Sequence, residues 1–280
     1  MNIVVGFVIV IACVIGGYVL AHGTMAVLFQ PAELIIIGGA ALGALLIGTP
    51  GHVMKKIGAS IKSGLSGKGS GPGGYMDLLR VLFELATLSR SNGILAMEKH
   101  VETPHESDIL AKINQKHGLV EFLCDSLRLV VLGISPVELS GMLDADLEVR
   151  EEESQEPADS LANTADALPG LGIVAAVLGI IITMNSIGGD SAAVGKHVAA
   201  ALVGTFLGVL LSYGFVGPLA RVVRNEGMKD LVLMKVARTG ILSLSTGINP
   251  MMVCESARRS IPEALRPGFK DMEDTLRNRK

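Results

Sequence analysis

Long apolar runs and polar stretches with helical spacing divide this chain into blocks, in the order apolar, apolar, polar, apolar, apolar, polar. The apolar runs cover about Ile3–Leu20, Leu34–Ile47, Leu171–Ile187 and Val198–Gly217. The last two hold no charged residue, and at about 1.5 Å rise per residue each spans roughly 26–30 Å, the thickness of a bilayer's hydrocarbon core. The second run is short for a span, so its ends are expected to be lifted by interfacial residues or met by local thinning. In the polar blocks, Leu78, Leu79, Leu82, Leu85, Ala86 and Leu88 recur near helical spacing and predict a helix over Met76–Ser91. Gly93 is expected to interrupt or bend it before Ile94–Val101. Further helices are predicted over Ser107–Leu132 and Pro136–Ala162. The latter has Ser135 as N-cap and proline at its first position. The fourth run should continue as a helix through about Leu244, with a shorter one after Pro250. No stretch alternates as a strand does. The predicted class is all-α, an integral membrane protein with four transmembrane helices and a helical cytoplasmic domain. Its parts are a first hairpin (1–50), a cytoplasmic domain (51–168), a second hairpin (169–219) and a helical tail (220–280). A Gly/Ser-rich join, 63–75, should be flexible.

Charge fixes the expected topology. Of the 24 Lys and Arg, only Lys196 falls outside 51–168 and 219–280. The positive-inside rule then puts both termini, the middle segment and the tail in the cytoplasm. The first run ends in Tyr18-Val19-Leu20-Ala21, a pattern that a secretory signal could share. With no basic n-region and a second apolar run close behind, it is expected to be a retained span. Cys13, Cys124 and Cys254 are isolated, with no spacing for zinc or a redox pair, and are expected to be inert thiols. The acidic run Glu148–Glu156 reads as a solvated helix face.

Little in the chain suggests catalysis or nucleic-acid binding. The six histidines are scattered, and the Gly-rich join lacks the GK[ST] ending of a phosphate-binding loop. Basic residues are balanced by acids, and aromatics make up 4%. The spans carry no intramembrane acid of their own. Glu33, beside Pro31, is expected at the outer interface. The second hairpin, PGLGIVAAVLGIIITMNSIG and HVAAALVGTFLGVLLSYGFVGP, is built on Gly, Ala, Ser and Thr, residues that permit close helix approach. A charge-free pair of this kind points to an assembly in which another chain carries the charge.

Five stretches, in order, resemble the A-subunit family of the bacterial flagellar motor stator: GGYVLAHGTMAVLFQPAELIIIGGAALG, YMDLL, SRSNGILAMEKHVETP, DALPGLGIVAAVLG and VGTFLGVLLSYGFVGPLA. The resemblance covers nearly the whole chain. The same superfamily includes the ExbB and TolQ energisers, which share the small-residue hairpin but lack the QPAEL motif.

The resemblance implies a bacterial inner-membrane protein that forms a pentamer around two MotB-type B-subunits, whose single spans carry the ion-binding Asp. Its output is torque on the rotor protein FliG, with no cofactor. The alternatives are an ExbB/TolQ-type energiser of an envelope complex and a non-energising scaffold or simple channel component. Pro169 and Pro218 match the family's two coupling prolines, although proline near a helix end is also ordinary. Thr205 either faces the channel or bonds back to its own helix. Ala176 and Gly204 stand where sodium-driven relatives have threonine. Loss of two hydroxyl ligands favours the proton as the transported ion. Arg90 and Glu98 match the family's rotor-contact charges, presented on one helix face or at a bend at Gly93, with Asp146 a weaker third. Ordinary surface charge is the competing reading for that pair.

Overall fold

The computed structural model describes residues 2–66, 72–113, 117–184 and 191–277. Among these the chain is helical, with no strand. The first block forms α1 (Asn2–Leu20), α2 (Met25–Leu28), α3 (Pro31–Gly48) and α4 (Gly51–Ser66). Next come α5 (Pro72–Asn92), a 3-10 turn (Ile94–Met97), α6 (Glu98–Glu102) and two further 3-10 turns, Pro104–Glu106 and Leu110–Ile113. They are followed by α7 (His117–Val131), α8 (Pro136–Met184) and α9 (Ser191–Leu210). A π-turn (Leu211–Val216) leads into α10 (Gly217–Ser245), then α11 (Pro250–Arg259), a 3-10 turn (Glu263–Leu265) and α12 (Phe269–Arg277). Four helical stretches are long and apolar enough to cross a membrane, beginning at Ile3, Met25, Pro136 and Val198.

The chain divides into two compact units. The first joins residues 1–68 to 155–226. In it Ile37 and Ala41 of α3 pack with Leu168 and Ala175 of α8. Val53 and Ile57 of α4 pack with Ala158 and Leu161 of α8 and with Ala220 and Val223 of α10. Much apolar surface faces outward, including Val4, Val8 and Ile9 on α1 and Val174, Ile181 and Ile182 on α8. A water-soluble domain would bury such a surface, so lipid or neighbouring subunits must cover it.

The second unit, 69–154 with 227–280, has a large aliphatic core. Leu78, Leu79, Leu82 and Leu85 of α5 are buried with Phe122, Leu123 and Leu127 of α7, Leu233 and Val236 of α10, and Val253 and Ala257 of α11. Each of the leucine, valine and phenylalanine side chains contributes about 1.5–3 kcal/mol by leaving water. The Cys254 thiol sits in this core and donates to the Leu79 carbonyl at 3.3 Å. Burial pushes it up to about 12 and Cys124 up to about 11. Asn249 caps α11 by accepting the Met251 N–H at 3.0 Å, with Pro250 following at the first helical position. At the other end of α11, Arg258 clamps Glu255 through two nitrogens, at 2.6 and 2.9 Å, and Arg259 adds a third bond at 2.8 Å.

Several expectations are refined. The second span is not short: α3 starts at Pro31 and α2 precedes it. The 63–75 join is helical through Ser66 and again from Pro72, because Tyr75 is drawn into the α5 core; 67–71 lie outside the described residues. Ser107–Leu132 is not one helix. Ser107 Oγ accepts the Leu110 N–H at 3.2 Å and lies 2.8 Å from His100 Nδ1, fixing a tight turn, and α7 begins only at His117. The helix expected to end near Ala162 runs on through Pro157 and Pro169 to Met184. Its start follows the sequence. Ser135 Oγ accepts the Glu138 N–H at 3.3 Å while the Glu138 carboxylate reaches back to Ser135, a capping box. The acidic run is only partly solvated: Glu151 pairs with Lys235 of α10 at 2.7 Å, and one turn or two before the run Asp144 pairs with Arg238 at 2.6 Å.

Candidate functional site

The small residues of the second hairpin are used between α8 and α9. A methyl group built on Gly172 would stand 2.8 Å from the Gly204 carbonyl oxygen and 3.0 Å from Gly208 Cα. One on Gly208 would stand 2.6 Å from the Leu168 carbonyl oxygen. The two backbones therefore touch, which only glycine at these positions allows. Ala176 and Gly204 face each other across this seam: a methyl on Gly204 would lie 3.2 Å from the Ala176 nitrogen. Both are buried, while Thr205, the next residue, is half-buried. The large side chains Ile173, Val177, Ile180 and Leu202 are left facing outward.

Glu33 turns inward: its side chain is 7% exposed, folded from the first turn of α3 onto the α8–α9 seam. Its Oε2 lies 2.5 Å from where a Gly204 methyl would be, and its Oε1 3.5 Å from the same point on Gly179. Oε2 is buried and has no hydrogen-bond partner among the described residues. The sequence carried one signal for this: Glu33 is the only acid in the first 76 residues and it opens an apolar run.

Pro169 lies inside α8, half-buried, and does not start a helix. Pro218 is the second residue of α10 and directly follows the π-turn. Lacking an N–H, it cannot bond the carbonyl four residues back, and its ring would crowd that carbonyl. The extra residue in the preceding turn relieves both problems, with the Gly217 N–H bonding the Ser212 carbonyl five residues back. Pro218 also lines a cleft of about 340 Å³ with Asp166, Ser212, Tyr213, Arg221 and Arg224. The Ser212 hydroxyl there is buried and unpartnered among the described residues.

In the second unit Arg90 is exposed at the end of α5 and Glu98 is exposed at the start of α6. Gly93 separates them with φ 86° and ψ 162°, a conformation essentially reserved for glycine. The two charges therefore flank a bend and do not share a continuous helix face. Asp146 is half-buried and paired with Arg150 at 2.8 Å, and Arg150 lies 5.7 Å over the Phe122 ring. It is held within its own fold in a way that Arg90 and Glu98 are not.

With this geometry in place, two comparisons of sequence bear on ancestry. Residues 4–93 match the motility protein A N-terminal domain, and residues 114–234 match the MotA/TolQ/ExbB proton channel family. The chain is 37% identical to motility protein A of Salmonella typhimurium over 99% of its own length and 95% of that protein. The chain belongs to the motility protein A family. Chemotaxis protein LafT of Vibrio parahaemolyticus is also 37% identical, over 97% of this chain and 96% of that one. Among solved structures, the fold is shared with the C. jejuni MotAB structure at a TM-score of 0.76, with 20% identity over 94% of this chain and 96% of that one. The flagellar MotAB stator complex from Bacillus subtilis matches at a TM-score of 0.72, with 24% identity over 96% and 97%. The ExbB/TolQ alternative is not favoured, because the motility protein A N-terminal match covers the first hairpin and α5.

Proposed function

We propose that this chain is the proton-conducting A-subunit of a flagellar motor stator, a multi-pass membrane protein that works with a MotB-type subunit to turn ion flow into torque. The observation that carries this is similarity to motility protein A along almost the entire chain, both hairpins and the cytoplasmic unit included. The unit sits in the bacterial inner membrane with both termini cytoplasmic. It is a homo-oligomer, a pentamer by the family's pattern, with lipid against α1. The outward apolar faces of α1 and α8 support such coverage.

In this reading the B-subunit's Asp loads and releases protons beside the α8–α9 wall. Pro169 and Pro218 give the wall two points where the helix hydrogen-bond ladder is already broken, so a shift there costs little. Thr205 offers a hydroxyl beside the seam, its Cα lying 3.3 Å from where a Gly172 methyl would be. The packing of Ala176 against Gly204 leaves no room for hydroxyl ligands, which supports the proton over sodium. Arg90 and Glu98 engage FliG, with complementary charge orienting a contact that is made and broken repeatedly. Asp146 takes a minor part.

Deletion tests the proposal. Cells without this gene should carry intact but paralysed flagella, and re-expressing it together with a MotB-type B-subunit should restore swimming. Normal swimming with defective outer-membrane uptake or envelope integrity would instead establish the energiser reading. Motor speed that tracked external sodium at constant proton motive force would overturn the choice of ion.

A further inference from the structure

Resting on the channel reading, we infer that Glu33 is a proton-binding site of the conduction path, carried by this chain in addition to the carboxylate that the partner supplies. Three observations lead there. The carboxyl is buried in an apolar bundle, where an ionised group without a partner is costly and a neutral acid is not. Its Oε2 has no hydrogen-bond partner among the described residues, so nothing there holds it as a structural ion pair. And the seam is shaped for it: Gly204 and Gly179 leave the recess into which the two oxygens fit, and a methyl at Gly204 would be only 2.5 Å from Oε2.

Among the described residues no group pairs with it, which leaves the proton as its counter-charge. From α8 and α9 the surroundings are Gly179, Ala201, Gly204 and the Ala176 backbone. The titratable residues of α9, Lys196 and His197, precede Gly204 by eight and seven positions, so roughly 10–12 Å along the helix. α2 contains none, and His22 ahead of it is exposed. The step is simple and balanced. A proton arriving by water adds to the carboxylate, the neutral acid is held against the seam, and the same proton leaves toward the Thr205 side of α9, regenerating the anion. Glu33 would then act as a relay between the outer mouth and the partner's carboxylate. Its proximity also gives Gly204 a purpose apart from helix packing, since a side chain at 204 would displace the acid.

The full complex with its B-subunit, reconstituted in vesicles, provides the test. Proton influx is measured against pH for wild type, Glu33→Gln and Glu33→Asp, with B-subunit co-purification read for each. Glu33→Gln keeps the shape and removes the titration. It should assemble normally, conduct roughly tenfold less or worse, and lose the wild-type pH dependence. Glu33→Asp should retain that dependence. A Glu33→Gln complex with wild-type flux and pH profile would overturn the inference, as would equal loss of assembly in both variants, which would make the residue structural. If the wild-type complex itself passes sodium and no protons, the ion choice made above fails with it, and that failure is visible without any variant.

Discussion

Gly208→Ala is the most direct test of the touching helices. The added methyl would stand 2.6 Å from the Leu168 carbonyl oxygen, 2.8 Å from Gly172 Cα and 3.1 Å from Gly172 N, all backbone atoms that no rotamer change can move. Ordinary contact at those atoms begins near 3.4 Å, so α8 and α9 must separate by about 0.6–0.8 Å. Overpacking of this kind costs about 1–3 kcal/mol. Alanine recovers about 1 kcal/mol of helix propensity, which leaves a net loss of about 0–2 kcal/mol against wild type, but the full loss of about 1–3 kcal/mol against a glycine-to-alanine control that shares the gain. Gly170→Ala is the control: it lies in α8, exposed and away from the seam, with nothing within 4 Å of the new methyl, so only the propensity gain applies. At about 2–4 °C per kcal/mol for chains of this size, Gly208→Ala should melt several degrees below Gly170→Ala. The chain contains no tryptophan, so helical circular dichroism of the purified complex is the appropriate signal. A Gly208→Ala protein that melted at or above Gly170→Ala would refute the close approach.

Charge reversal at Arg90 or at Glu98 should abolish or sharply reduce swimming in soft agar while B-subunit co-purification stays at the wild-type level; loss of co-purification would assign these residues to the fold instead. In the native protein at pH 8, iodoacetamide should leave Cys124 and Cys254 unlabelled, since burial holds their thiols near 11 and 12, whereas both should label after denaturation. Mass spectrometry reads this directly, and rapid native labelling of either would contradict their place in the core. The Arg258 hydrogen bonds hold the Glu255 carboxyl down to about 2, with Arg259 adding to them. Because the folded value lies below the unfolded one, this stabilisation is complete above about pH 4.5 and is lost as pH falls toward 2. Glu255→Gln should therefore lower stability at neutral pH and flatten the acid limb of the profile, as followed by chemical unfolding at stepped pH.

The lesson from sequence to structure differs between the two units. In the second unit, local rules served for most elements: the leucine spacing of α5, the Ser135–Glu138 cap and the Gly93 break all appear where hydrogen bonding and backbone sterics place them. They failed at Ser107, where a side chain competing for backbone hydrogen bonds won over helix propensity. In the membrane unit, apolar length alone placed the spans, because a bilayer demands length and offers no hydrogen bonds.

Sequence by itself thus determined the helical class, the four spans and the family, since each is written in periodicity, composition or motif. It did not determine what the small residues pack against. Gly172, Gly204 and Gly208 read equally well as a surface for a partner or as a seam within the chain, and only the tertiary structure chose the seam. Nor could it place Glu33, the one acid of the first hairpin, because burial depends on which helix lies beside α3. That neighbour, α9, begins 158 residues after Glu33 in the chain, and no local rule reaches so far.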